Sequence, residues 1–398
     1  MAWGVTKVED RRKEFIDACL KGEQSMAELC RLYEISRKNG YKWINRFKEG
    51  DHSLKNRGRA PLKQALETDP EVVRKILEVK FQFNKWGPKK VLGYLKTIFP
   101  DVNWPSTTTI GNLFDKNGLV VPRKYRRRVP GKTVPLSHCK QSNDVWCADF
   151  KGWFLVGDGS KCEPFTLTDA SSRYLLRCLT LNKNDTEHVW AVIDCAFREY
   201  GLPLFFRHDN GSPFATCGVG RMSALSIKLI KSGVIPEWID PGKPQQNGRH
   251  ERMHQTLKSE VANPPEQTLK KQERRLKEFR NCYNHVRPHE ALNQKTPGSI
   301  YRPSERRWSG VLKSPEYSSD YIVRKARYCG SIKLHGDEIY LGAVLSREPI
   351  GLKEKEDGSF TVYYGPIILG EINHDNEFKM PQGNKRIKKD CVQKNGGI

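Results

Sequence analysis

Between Gln141 and Val261 the chain reads as three strands, a helix, a strand, a helix, a strand and a helix. VWCADFKGWFLV, CEPFTLTDA and SRYLLRCLTL carry the aromatic and apolar alternation of strands. Asp185 to Tyr200 has helical spacing on Val189, Val192, Ile193, Ala196 and Phe197, and Gly201 ends it. LPLFFRHDNGS is a buried strand running into a turn. Ser223 to Ser232 follows as a helix, Val234 to Ile239 as a strand and Arg249 to Val261 as a helix. That order is met by a mixed α/β sheet with helices packed on it, so residues 141–310 are expected to form one such domain.

Three acids sit where a sheet of this kind collects them. Asp149 interrupts the first strand, where a carboxylate is costly unless paired or bound to metal. Asp209 ends the fourth strand and Glu251 opens the last helix. Strand interior, strand end and helix start converge at the carboxyl edge of an α/β sheet. Three carboxylates there are hard oxygen ligands for Mg²⁺, with Mn²⁺ able to substitute, and two ions held together suit in-line phosphoryl chemistry. Asp158, Glu163, Asp169 and Glu260 compete for the role, and Asp169, also at a strand end, is the strongest rival.

Glu251 also lies in HERMH, residues 250–254, which matches the His-Glu-x-x-His pattern of zinc metalloproteases. In a chain with 10 His the pattern is weak alone. A protease would leave Asp149, Asp209 and the charge of the chain unexplained.

That charge is large: 69 Lys and Arg against 46 Asp and Glu, a formal +23 over 398 residues. The partner that relieves such an excess is nucleic acid, here double-stranded DNA. The N-terminal region supplies a reader. Phe15, Ile16, Cys19 and Leu20 form a helical stripe. Ser25 and Glu28 form a capping box, and Ser36 caps a helix running to about Lys48. Trp43, Ile44 and Phe47 face inward on that helix, while Arg37, Lys38, Asn39 and Lys42 face out. Residues 1–50 therefore read as a helix-turn-helix whose last helix enters the major groove. Residues 51–67 are a linker. Residues 68–120 repeat the plan, with Asp69 and Pro70 opening one helix, WGPKK another and Ser106 a third. This second helical unit either grips DNA or serves as scaffold. Residues 121–140 are a basic linker in which Arg126, Arg127 and Arg128 could lie along phosphates.

Beyond the α/β domain, residues 318–378 alternate in short runs split by Gly, Asp and Asn, as in a small antiparallel β-barrel. Residues 379–398 form a basic tail. The 11 cysteines show no Cys-x-x-Cys spacing and fit reduced thiols. Charge interrupts the opening MAWGVTKVEDRRKEF, so no signal peptide is expected. No apolar run suits a bilayer, so no membrane partner is expected and a cytoplasmic, nucleoid-associated location is.

DVWCADFKG, DASSRY, RHDNGSPF, PGKPQQNGRHERMHQTLK and YNHVRPHEALNQKTPGSIY together resemble the catalytic core of bacterial insertion-sequence transposases of the retroviral-integrase type. SMAELCRLYEISRKNGYKWI and WGPKK resemble the DNA-binding region of that family. The likeness runs through nearly the whole chain in several ordered motifs. It implies a ribonuclease-H-like core with an Asp-Asp-Glu triad, Asp149, Asp209 and Glu251, and an enzyme that binds the ends of its mobile element, cleaves DNA and transfers strands, as a homo-oligomer on element ends and target DNA. The stretch between Asp209 and Glu251 is longer than the family's common form, and an insertion near GVGRMSALS would absorb the excess. Lys243, Asn247, Arg249, Arg252 and Lys258 are then candidates for DNA contact. His250 and His254 become ordinary helix residues near phosphate, and Arg287 and His289 packing residues. A DNA-binding regulator with an inactive core is the alternative.

Overall fold

The computed structural model describes residues 8–56, 68–120, 139–150, 152–209, 211–216, 218–240 and 244–380. Residues up to Thr68 form one compact unit and residues from Asp69 onward another.

The first unit holds α1 (Val8–Lys21), α2 (Met26–Leu32) and α3 (Arg37–Lys48). Ser25 accepts from the Glu28 amide while the Glu28 carboxylate accepts from the Ser25 amide at 2.9 Å, so the capping box is made. Ser36 caps α3 by accepting from the Asn39 amide. Phe15, Ile16, Leu29, Cys30, Trp43 and Ile44 form the core. Gly40 permits the tight crossing of α2 and α3, since a Cβ there would meet Cys30 Sγ at 2.6 Å. Leu20, expected on the inner stripe, lies in the last turn of α1 and is exposed.

The second unit opens with α4 (Pro70–Gln82), α5 (Pro88–Ile98) and α6 (Thr107–Lys116), packed around Ile76, Trp86, Val91, Leu95, Ile110 and Phe114. The strands and helices of the α/β domain follow: β1 (Val145–Phe150), β2 (Phe154–Leu155), β3 (Lys161–Cys162), β4 (Pro164–Asp169), β5 (Leu175–Thr180), α7 (Thr186–Tyr200), β6 (Phe205–His208), α8 (Ala224–Lys231), β7 (Ile235–Trp238), α9 (Gly248–Glu260) and α10 (Leu269–Asn281). The sheet order is β5-β4-β1-β6-β7, with β5, β4 and β1 antiparallel and β6 and β7 parallel to β1. The run VWCADFKGWFLV is not one strand. β1 stops at Phe150, Gly152 turns the chain at φ 79°, and β2 pairs with β3 in a separate ribbon.

Strand alternation divides the sheet's two faces. Trp146, Ala148, Phe165 and Leu167 join Val189, Ile193 and Phe197 of α7 and Leu225 and Leu229 of α8 in one cluster. On the other face, Leu175 and Cys178 pack with Met253 and Leu257 of α9 and Leu276 and Phe279 of α10. This is the ribonuclease-H-like arrangement, a mixed sheet covered by helices on both sides. After α10 a single π turn, Cys282–Val286, presents Asn284 to β5. Its amide accepts from Leu175 N at 2.8 Å and donates to Leu175 O at 3.0 Å, closing the edge of the sheet as a strand would. A short helix α11 (Pro297–Ile300) completes the domain.

The C-terminal strands are β8 (Ile322–Lys325), β9 (Ser331–Leu334), β10 (Asp337–Tyr340), β11 (Pro349–Glu354), β12 (Phe360–Tyr364), β13 (Ile367–Ile372) and β14 (Phe378–Lys379). The expected barrel is an open antiparallel sheet, β14-β13-β12-β11-β8, plus the β9–β10 hairpin. Its apolar side shares one cluster with Val219, Met222, Ile227 and Ile230 of the α/β domain, so that domain covers what a closed barrel would bury by itself.

The first three helices of the second unit are not free of the sheet domain. Cys282 and Val286 pack into their core. Arg287 lies over the Trp86 ring at 5.9 Å, and Lys89 pairs with Glu290 at 2.9 Å. Gly93 lets α5 approach the loop after the π turn, since a Cβ there would stand 3.1 Å from Gln294 Cβ.

Candidate active site

Asp149 and Asp209 are brought level by the sheet. β1 and β6 run parallel with Val145 opposite Phe205, Trp146 opposite Phe206 and Cys147 opposite Arg207. Carried two residues on, the same register sets Asp149 opposite Asp209, at the carboxyl ends of adjacent strands about 4.8 Å apart. Both side chains are half-buried, Asp149 being 21% exposed, so each can reach solvent and a neighbour at once. Asp209 Oδ1 accepts from Gly211 N at 3.1 Å, which holds the turn after β6.

Alternation puts Asp149 and Cys147 on the α9 side of the sheet, opposite to Trp146 and Ala148. Across the ladder from Asp149 is Thr166 of β4, whose neighbours Phe165 and Leu167 face the other way. Thr166 and Thr168 receive α9. The Thr166 hydroxyl donates to Asp149 O at 3.0 Å. Its single proton is thereby committed, so His250 Nε2–H and His254 Nε2–H both donate to Thr166 Oγ1, each at 2.7 Å. His250 Nδ1 then accepts from Thr168 Oγ1 at 2.9 Å. Burial and the neighbouring His254 hold the His250 imidazole well below the ordinary histidine range, so it is neutral at neutral pH. His254 Nδ1 stands 3.8 Å from Asp149 Oδ2.

This corrects the expectation for HERMH. The two histidines are buried, at 1% and 7% exposure, and anchor α9 to β4 beside Asp149 instead of lying near phosphate. Nor do they form the outward-facing pair of a zinc protease, because hydroxyls engage both nitrogens of His250 and one of His254. Asp149, His250 and His254 do offer ligand atoms within 4.8 Å of one another. Glu251, in the first turn of α9, is exposed, on the solvent side of the turn whose inner side is pinned next to Asp149.

The rival acids have other partners. Asp169 is fully buried and accepts from Asn143 N at 2.8 Å, Ser172 N at 2.7 Å and Ser172 Oγ at 2.6 Å, clamping the β4–β5 turn to the start of β1. Asp158 holds Ser160, Glu163 pairs with Lys161, and Glu260 pairs with Arg287.

The remaining candidates are scattered. Asn247 is buried at the N-terminus of α9, with its Oδ1 unpartnered among the described residues. Arg249 donates to Ala170 O at 2.8 Å and so ties α9 to the β4–β5 turn. Arg252 and Lys258 are exposed. In the first unit Arg37, Lys38, Asn39 and Lys42 are all exposed along α3. Arg126, Arg127, Arg128, Lys243 and the tail from residue 381 lie outside the described residues. Sequence reading missed Thr166 and Thr168. Two hydroxyls alternating in TLTD on the face opposite the apolar residues were the available signal.

The mixed sheet with its covering helices and the N-terminal three-helix unit each have counterparts among known families. A profile described as an integrase core domain matches residues 140–244, and a second of the same description matches 232–297. A helix-turn-helix profile matches 11–61. An uncharacterized 31.7 kDa protein of insertion element IS407 from Burkholderia multivorans is 27% identical over 193 residues, 48% of this chain and 67% of the relative. The chain thus carries the domain combination of a bacterial insertion-sequence transposase of the integrase type. Among solved structures, the HTLV-2 integrase catalytic core domain in complex with magnesium covers 41% of this chain and 98% of its own, at 15% identity and a TM-score of 0.33. A simian T-cell lymphotropic virus intasome in complex with PP2A regulatory subunit B56 gamma covers 74% and 97%, at 14% and 0.35. The fold is given by the β5-β4-β1-β6-β7 strand order and by the integrase-core profiles. No described helix is long and apolar enough to cross a membrane.

Proposed function

We propose that the protein is a DNA transposase that cleaves phosphodiesters at the ends of its mobile element and joins the freed 3′-hydroxyl to target DNA. The observation that supports this reading is the parallel register of β1 and β6, which, continued two residues past Cys147 and Arg207, brings Asp149 level with Asp209, beside the helix that bears Glu251. Two half-exposed carboxylates on neighbouring strand ends are a hard oxygen donor set suited to Mg²⁺ or Mn²⁺. Bound there, such ions would supply Lewis-acid charge and an activated nucleophile for in-line displacement.

The chain's own residues do the rest. Asp149 and Asp209 hold the reacting region at the strand ends, and Glu251 closes it from α9. The Thr166–His250–His254 anchor fixes the angle of α9 against β4, so Glu251 keeps its place relative to Asp149. Because the attacking group is water and then a DNA hydroxyl, no protein nucleophile is required. The exposed cations of α3 recognise the element ends, and pairing two ends calls for at least two protomers on DNA.

The test uses the purified full chain and DNA from its source locus with both flanks. With Mg²⁺, wild type is expected to nick the element end and join it, and Asp149→Asn or Asp209→Asn to lower both steps at least about a hundredfold, as losing a metal-holding group does. A nick that survives Asp149→Asn would sink the reading. Sequence-specific binding without strand breakage by wild type would favour the inactive-core regulator.

A further inference from the structure

Between the second three-helix group and α9 lies a cleft of about 640 Å³. Its walls are Lys85, Lys89 and Lys90 before and within α5, Thr107 and Thr108 at the start of α6, and the polar face of α9 from Arg252 to Ser259. Arg287 and the acids Glu260 and Glu290 lie at its floor and rim. Both acids are already engaged, Glu260 by Arg287 and Glu290 by Lys89. Lys85, Lys90 and Arg252 make no ion pair among the described residues.

Three unpaired cations facing one cavity repel each other unless an anion joins them. Burial first, then the facing Arg287 and last Arg252, pull the Lys90 ammonium below the ordinary lysine range, against the opposing pull of Glu260 and Glu290. The N-terminus of α5 adds to the demand. Gly87 caps it without a side-chain hydrogen bond, Pro88 at its first position has no N–H, and Lys90 N already donates to Gly87 O at 3.0 Å, so the helix end contributes its dipole and not a row of free amides. A lining of cations and hydroxyls does not suit an apolar ligand.

The cleft also has a position. Gln255, on its wall, lies one turn beyond Glu251 on the same side of α9. From Glu251 to Ser259 the helix rises about 12 Å, the axial span of three to four phosphates of one strand.

We propose that this cleft is a clamp for the DNA backbone next to the reacting phosphodiester, built jointly by the docked second helical group and α9. The inference rests on the transposase reading for which strand is held, but not for the binding itself. The second helical group then acts as one jaw of the catalytic body, gripping phosphates without reading bases.

Two measurements on the full chain test it without relying on catalysis. The first is the salt dependence of binding to a long duplex of arbitrary sequence, comparing wild type with Lys85→Gln/Lys90→Gln/Arg252→Gln. A control, Lys270→Gln/Arg274→Gln/Lys277→Gln, removes the same charge from exposed positions on α10. The cleft variant is expected to flatten the slope of log K against log salt by about 3, and the control to leave it within about 1. Lys90→Glu alone should weaken binding further than Lys90→Gln. The second is lysine acylation read by mass spectrometry, in which the duplex should shield Lys85 and Lys90 and leave Lys270 and Lys277 reactive. An unchanged slope together with unshielded Lys85 and Lys90 overturns the clamp, even if wild type cleaves normally. If wild type never cleaves its element yet the slope flattens and the lysines are shielded, the transposase reading fails while the DNA site stands.

Discussion

Residues 8–56 and residues 69–120 each fold as three short helices around a tryptophan, and their caps are spelled alike: Ser25 and Ser36 in the first, Asp69 and Ser106 in the second. The surroundings of the two tryptophans differ. Trp43 carries arginines of its own unit on its ring, Arg12 at 3.9 Å and Arg46 at 4.6 Å. Trp86 stacks on Phe83 at 3.9 Å and takes its arginine, Arg287, from the α/β domain. The first group closes on itself and leaves the cations of α3 to solvent. The second opens one side of its core to Cys282 and Val286 and becomes part of the α/β body. Local sequence code makes the helices in both. Which residues lie across from the tryptophan decides whether the group stands as a module of its own or docks on the α/β domain.

The sharpest way to break this contrast is to delete each ring. Trp86→Ala empties a site that is 2% exposed and should cost about 3–5 kcal/mol. Because Trp86 seals the junction with the α/β domain, that loss should lower the melting of the whole body from Asp69 onward. Trp43→Ala should shift only the transition of the first unit. Differential scanning calorimetry of the full chain, followed in both variants, checks this. One shared transition that moves equally with either substitution would erase the distinction.

What sequence alone made legible follows the same line. The Ser25 and Ser36 caps and the end of α3 at Lys48 fall where the sequence placed them because caps and apolar spacing are local. The acids at the ends of β1 and β6 were visible because strand patterns are local too. The docking of the second group was not, since Trp86 and Arg287 are far apart in the chain and neither pattern names the other. HERMH failed for the same reason. Its helical face was legible, but its partners, Thr166 and Thr168, lie more than eighty residues upstream. Asp169 looked like a ligand until Asn143 and Ser172 were found on its oxygens.

A smaller effect separates the caps. Ser25→Ala removes the cap of α2 and Ser106→Ala that of α6, each worth about 1 kcal/mol. In calorimetry Ser25→Ala should lower the first transition alone and Ser106→Ala the second alone. Amide exchange should show the loss at the Glu28 and Thr109 amides, which the two serines hold. A Ser106→Ala variant that also loosened the first unit would mean the two groups are coupled.

The smallest effect is a pH signature confined to the first unit. Arg46 donates from Nε to Asp51 Oδ2 at 3.1 Å, and that guanidinium, helped by the Ser53 hydroxyl, holds the Asp51 carboxyl at about 2. The folded value lies below the ordinary one of 3.8, so folding is favoured by ionisation of Asp51. That contribution is fully present above about pH 4 and fades as pH falls through about 2. Asp51→Asn should therefore lower the first transition at neutral pH and converge on wild type near pH 2, while the transition of the larger body stays the same in the two proteins at each pH. Melting both proteins across that range tests it. A gap that persisted undiminished at pH 2 would mean that Asp51 acts there through its hydrogen-bonding shape and not its charge, and the arginine that closes the first unit on itself would need no carboxylate to do so.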